Sequence, residues 1–186
     1  KINLDMNNLS FLVNLLVYTI TNPDVGKQIL QAKYQSWQDS KHSVVNYKKN
    51  QLQLDEIIQL LFPECSSIED FRKSTDKLQN HIDDFFNKLK NEKYPSKKKP
   101  YPLEYTLDNT SGLFLYILCK IIKPKKVVET GVAYGLSSMY ILQALFENKN
   151  GVLYSIDSVF SPWQSKEMIG CAIPSHLREN WKLIFG

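Results

Sequence analysis

Cysteine is scarce in this sequence, and what there is does not pair. Cys65, Cys119 and Cys171 are odd in number, far apart and without C-x-x-C spacing. Neither a disulfide framework nor a cysteine-based zinc site is expected from them. Histidine is equally sparse. His42, His81 and His176 stand apart with no H-x-x-x-H pair, so no metal ligand set is assigned. Long apolar runs are missing too. The longest, "FLVNLLVYTI" at 11–20, is about half of a membrane-spanning helix. It follows Asp5 and several asparagines rather than a basic segment, which excludes a secretory signal from the reading. With idle thiols and neither signal nor span, a cytoplasmic protein is the expectation. Excess charge of one sign is also lacking. The net charge is only +4, and the single dense basic run, Lys97-Lys98-Lys99, has no base-stacking motif beside it. A nucleic-acid partner is therefore not argued for.

What is present is a globular composition, 43% apolar and 23% charged over 186 residues, with two halves of different patterning. Residues 1–94 read as all-helical. Leu9, Leu12, Val13, Leu16, Val17 and Ile20 recur at helical spacing until Asn22-Pro23. Val25, Ile29, Ala32 and Trp37 anchor a more polar segment. "LDEIIQLLF" (54–62) gives a short helix closed by Pro63. A longer one follows, with Ser66 and Glu69 spaced as a capping box and a stripe of Ile68, Phe71, Leu78, Ile82, Phe85 and Leu89. Such a stripe packs on neighbouring helices or on another subunit, so a homo-oligomer formed through these helices is carried forward. "YPSKKKPYP" (94–102) reads as an extended, hydrated linker at 95–102. From 103 to 186, helix and strand alternate: a helix over 110–122, the strand "KVVET", a helix over 136–147 with Met139, Leu142 and Phe146 inward, an Asn150-Gly151 turn, the strand 152–157, and a third strand at 181–186. This alternation predicts an α/β fold, a Rossmann-like parallel sheet preceded by the all-helical region.

The informative stretch is "KKVVETGVAYGLSS" (125–138). In a parallel sheet, ligands bind where the first strand meets its helix. Gly131 and Gly135 permit unusual backbone angles and close approach. With Ala133 between them the pattern is G-x-A-x-G, neither the dinucleotide G-x-G-x-x-G nor a phosphate-binding G-K-[ST] loop. Asp157 ends the second strand, about 20 residues past the glycines, where an acid accepts hydrogen bonds from both hydroxyls of a ribose. These features leave NAD and S-adenosylmethionine both open. Glu129 separates them: an acid just before the turn suits the ammonium of an amino-acid moiety. Ser137 and the first N–H groups of the helix suit its carboxylate.

"VVETGVAYGLSS" resembles motif I of the class I S-adenosylmethionine-dependent methyltransferases, E/D-x-G-x-x-x-G-x-S. "LYSID" resembles the strand that carries their ribose-binding acid. "IGCAIPSHLRENWKLIFG" is similar to the approach to the third strand in a small-molecule and glycan O-methyltransferase branch. The resemblance covers about residues 101–186. It implies that Glu129, Gly131, Ala133, Gly135 and Ser137 line the methionine end of S-adenosyl-L-methionine, that Asp157 holds the ribose, and that Thr130 and Tyr134 belong to the same cofactor site. It implies a hydroxyl acceptor on a small molecule or glycan. The family's sheet has seven strands and this sequence ends after the third, so a longer native protein is expected and the catalytic base is left unassigned.

Several residues keep two readings. Tyr134 either covers the methionine moiety or points into the core, and Trp163 either flanks the ligand or packs a loop. His176 and Glu104 are retained as candidates near the pocket. Two other functions compete: an NAD-dependent oxidoreductase, and a non-catalytic helical interaction protein on a degenerate Rossmann scaffold.

Overall fold

The computed structural model describes residues 13, 16, 17, 19–41, 52–65, 67–103, 106–159, 161 and 163–186. Leu9, Leu12, His42, Ser66 and Glu104, singled out above, lie outside the described residues. The chain forms two compact units, Lys1–Gln51 with Phe160–Gln164, and Leu52–Val159 with Ser165–Gly186.

In the first unit, helix α1 runs from Pro23 to Asp39. Proline suits the first helical turn, where its missing N–H costs no hydrogen bond. Val13, Leu16, Val17 and Ile20, the described part of the apolar stripe, are all exposed, as are Tyr34 and Trp37 of α1. Trp163 belongs to this unit.

The second unit holds α2 (Leu54–Leu61), α3 (Glu69–Leu89), α4 (Asn109–Ile122), β1 (Lys126–Thr130), α5 (Leu136–Asn148), β2 (Val152–Asp157) and β3 (Trp181–Phe185). The three strands form one sheet in the order β1-β2-β3, with both pairings parallel. Parallel neighbours need a crossover between them. Helix α5 supplies the first, and residues 158–180 supply the second. No helix among the described residues is long and apolar enough to cross a membrane.

Helices α2, α3 and α4 are bounded by local chemistry. The Asp108 carboxylate accepts from Ser111 N at 3.0 Å and from Ser111 Oγ at 2.7 Å, capping α4. That helix stops at Lys123, in the left-handed region at φ 51°, with Pro124 unable to continue it. The backbone N of Gln53 donates to Glu56 Oε2 at 2.6 Å at the start of α2. At α3 the side-chain bond is made by Ser67, whose Oγ accepts from Glu69 N at 3.1 Å.

The stripe of α3 buries Leu78, Ile82 and Leu89, with Phe71 and Phe85 partly buried, in the same core as α4, α5 and Leu153 of β2. Burial of this kind stabilises by about 1.5–3 kcal/mol per large aliphatic side chain. Helices α2 and α3 therefore fold with the sheet, and the stretch 95–102 runs within this unit, with Pro100 buried. Gly112 brings α4 close to α5, because a Cβ there would meet the Tyr140 ring at 2.2 Å. The Tyr140 hydroxyl in turn donates to Gln79 Oε1 of α3 at 2.6 Å. Met139 and Leu142 are buried as expected, whereas Phe146 is 47% exposed. Phe146 lies on the edge of the inward arc and packs edge-to-face on His176, with ring centroids 5.6 Å apart.

The sheet is covered unequally. Leu153 and Ser155 are fully buried on one face. On the other, Val128, Ile156 and Ile184 are exposed, although parallel sheets usually have both faces covered.

Between α4 and α5, Glu147 accepts from the Tyr116 hydroxyl and pairs with Lys120 at 3.1 Å. Burial alone would raise the Glu147 carboxyl. Hydrogen bonds from Tyr116, Gln143 and Lys120 outweigh it, and the group sits below its ordinary value. A depressed folded-state pKa gives stability that is present above the unfolded value and lost as pH falls through the folded one. The gap between wild type and Glu147→Gln in urea midpoint is accordingly expected to be wide near about pH 7 and to close by about pH 3. A gap that stays constant across that range would refute the linkage.

Candidate functional site

Strand β1 ends at Thr130, and the chain reaches α5 through five residues, three of them at left-handed φ: Gly131 at 78°, Ala133 at 48° and Gly135 at 95°. The alternation of small residues in G-x-A-x-G follows from this, because left-handed φ is inexpensive for glycine and strained for residues with a Cβ. Ala133 carries that strain at the tip of the turn, a place where strain commonly accompanies function.

The two glycines have different tasks. At Gly135 an added Cβ would lie 2.6 Å from Ile173 Cγ1 and 3.1 Å from Gly170 Cα. At Gly131 no atom of the described residues lies within 4 Å of that position. Gly135 is thus a packing glycine, and Gly131 faces open space.

Two carboxylates frame the turn. Asp157 Oδ2 accepts from Val132 N at 2.7 Å and Ala133 N at 3.1 Å, and Oδ1 accepts from Ser158 N at 2.6 Å. The strand-two acid therefore fixes the first half of the turn by charge-assisted bonds. Glu129 Oε1 accepts from Ser138 Oγ and from Ser155 Oγ, both at 2.5 Å, and Oε2 accepts from Ser137 Oγ at 3.1 Å. Ser155 in turn receives Trp181 Nε1 at 2.7 Å. One acid on β1 is thereby tied to α5, to β2 and, through Ser155, to β3.

The second crossover clamps the turn from outside. Gly170 N donates to Ala133 O at 2.8 Å, and Ala172 N donates to Tyr134 O at 3.1 Å. Arg178 donates to the carbonyls of Gly170 and Ile173. From α3, His81 Nε2 donates to Ala172 O at 2.8 Å, so this histidine braces the loop. His176 is exposed and meets Phe146 edge-to-face.

A parallel sheet, a first strand running through a small-residue turn into a helix, and an acid at the end of the second strand are now in place. The fold is Rossmann-like. No protein-family profile matches the chain, and no curated protein matches it. A crystal structure of the SAH-bound Podospora anserina methyltransferase PaMTH1 is similar to it, at a TM-score of 0.40 and 15% identity. The similarity covers 78% of this chain and 53% of that one, so the chain spans about half the length of that protein.

Within this Rossmann-like turn the expected residues divide. Gly131, Ala133, Glu129 and Asp157 come together around it, and Thr130 stands exposed at the end of β1. Ser137 is adjacent, but its hydroxyl is engaged by Glu129 rather than free for a carboxylate. Tyr134 points into the core. It is 1% exposed, packs edge-to-face on Phe85, Phe86 and Tyr101, and donates to Tyr101 O at 2.9 Å. Ser138, Ser155 and Trp181 are the partners that the sequence reading did not single out. A signal for two of them was available: a serine on the inward face of an apolar helix or strand needs a buried polar partner.

Proposed function

We propose that this chain carries the cofactor-binding part of an S-adenosyl-L-methionine-dependent methyltransferase acting on a hydroxyl of a small molecule or glycan. The observation that carries the reading is the open space over Gly131, set between two carboxylates that the fold holds in place. Glu129 Oε2 accepts one hydrogen bond among the described residues and keeps capacity for an ammonium group. Among the described residues Asp157 Oδ1 accepts only from Ser158 N, leaving capacity for a ribose hydroxyl. When bound, the cofactor supplies a methyl group activated by its sulfonium. The residues of this chain bind and orient it, and placement of that kind is the larger part of what methyl transfer asks of a protein. No side chain at the turn is assigned to take the acceptor's proton, since both carboxylates are committed to holding the turn. The acceptor class follows the similarity of "IGCAIPSHLRENWKLIFG" to the O-methyltransferase branch.

The covered start of α5 counts against a dinucleotide. Pyrophosphate sits on a helix N-terminus that its glycines leave approachable, whereas Gly135 is packed under Ile173 and Gly170. Calorimetric titration with S-adenosylhomocysteine is expected to saturate at one site, and titration with NAD is expected to give no signal. Saturation with NAD and none with S-adenosylhomocysteine would overturn the proposal.

A further inference from the structure

Residues 94–103 approach the turn from the segment before α4, and one side chain there is left incomplete. The stretch is fixed to the turn by a reciprocal pair of bonds. Tyr134 Oη donates to Tyr101 O at 2.9 Å, and Tyr101 N donates to Tyr134 Oη at 3.3 Å. The two rings meet edge-to-face with centroids 5.1 Å apart. Tyr101 is therefore held rigidly against a residue of the glycine turn. Its own hydroxyl is buried and has no hydrogen-bond partner, the one such side-chain atom among the described residues. Native proteins rarely leave a buried hydroxyl unpaired, and each exception calls for a reason.

The surroundings narrow what could complete it. Burial, and then the charge of Asp157, push the Tyr101 phenol well above its ordinary value. The group therefore stays protonated at neutral pH and acts as a donor. An anionic acceptor is disfavoured close to the Asp157 carboxylate. A neutral hydrogen-bond acceptor completes the phenol without adding charge, and a sugar hydroxyl is such a group.

We propose that Tyr101 is a ligand-contacting residue of this site, its hydroxyl donating to a ribose hydroxyl. The inference rests on the cofactor reading above and extends it to a residue outside the motif. Calorimetry on wild type and Tyr101→Phe, with S-adenosylhomocysteine and its 2′-deoxy and 3′-deoxy analogues, tests it. Phenylalanine keeps the ring packing and both backbone bonds. The expected result is an affinity for S-adenosylhomocysteine lower by about 10-fold, the loss of one hydrogen bond. Discrimination against one deoxy analogue should shrink to match, and the ligand-free melting temperature should be unchanged or higher. Equal affinity of the two proteins for S-adenosylhomocysteine would remove this inference alone. Failure of wild type to bind it would remove the cofactor reading, and this inference with it.

Discussion

Replacing Gly135 with alanine is expected to destabilise the sheet-containing unit by about 2–5 kcal/mol, while the same change at Gly131 costs about 1–2 kcal/mol. Both positions share the left-handed backbone strain, at φ 95° and 78°. They differ in what the new methyl group meets. At Gly135 it is driven to 2.6 Å from Ile173, and relief requires moving the loop whose Gly170 and Ala172 amides bond the turn. At Gly131 it projects into open space, so the fold survives. Ligand binding should follow the opposite order of severity relative to stability. Gly131→Ala is expected to weaken S-adenosylhomocysteine binding by about 10-fold or more in a protein that is still folded, because a methyl group then stands where the ligand approaches the backbone. Urea denaturation and calorimetry on the two variants separate these effects. A Gly131→Ala protein with wild-type affinity would show that the ligand does not cross this glycine.

Removing the Glu129 carboxylate is expected to have the second large effect, about 3–5 kcal/mol for Glu129→Ala. The loss comes from the hydroxyls left behind. Ser138 and Ser155 are 0% exposed, and both donate to Oε1. Without the acid, two buried donors go unmet, each costing about 1–3 kcal/mol. Glu129→Gln keeps an acceptor in place and should cost less, about 1–2 kcal/mol. It also removes the negative charge, so its affinity for S-adenosylhomocysteine should fall by about 10-fold or more through loss of a charge-assisted bond to an ammonium. A glutamine variant that is both as stable and as tightly binding as wild type would contradict the ammonium role of Glu129.

Much of this arrangement was legible in the sequence. Strand β1 was readable from Val127-Val128 between a lysine pair and the glycine turn, β2 from its run into Asp157, and α4 from apolar periodicity stopped by Pro124. The parallel sheet followed from their alternation. Local signals gave less about which unit each helix joins. The α3 stripe was as compatible with another subunit as with α4 and α5, and the proline- and lysine-rich stretch 95–102 read as a linker although Pro100 is buried. Tyr134 could not be placed without its ring partners Phe85, Phe86 and Tyr101, which no short-range pattern connects to it. The serine ring around Glu129 was hidden for the same reason, since Ser155 lies 26 residues from Glu129 and Trp181 a further 26 from Ser155.

The bond from Trp181 to Ser155 also has a bearing on how the protein reaches its working form. Glu129 is oriented by partners on α5 and β2, and Ser155 is oriented by β3. Glu129 is therefore not fully held until the last strand has docked. Closing chain loops of this length is entropically unfavourable before their contacts form. A chain with β1, α5 and β2 assembled but β3 undocked would have the turn without a correctly held Glu129. Competence to bind should consequently arise late and all at once in refolding, together with the burial of the Trp181 indole, rather than growing gradually with the glycine turn.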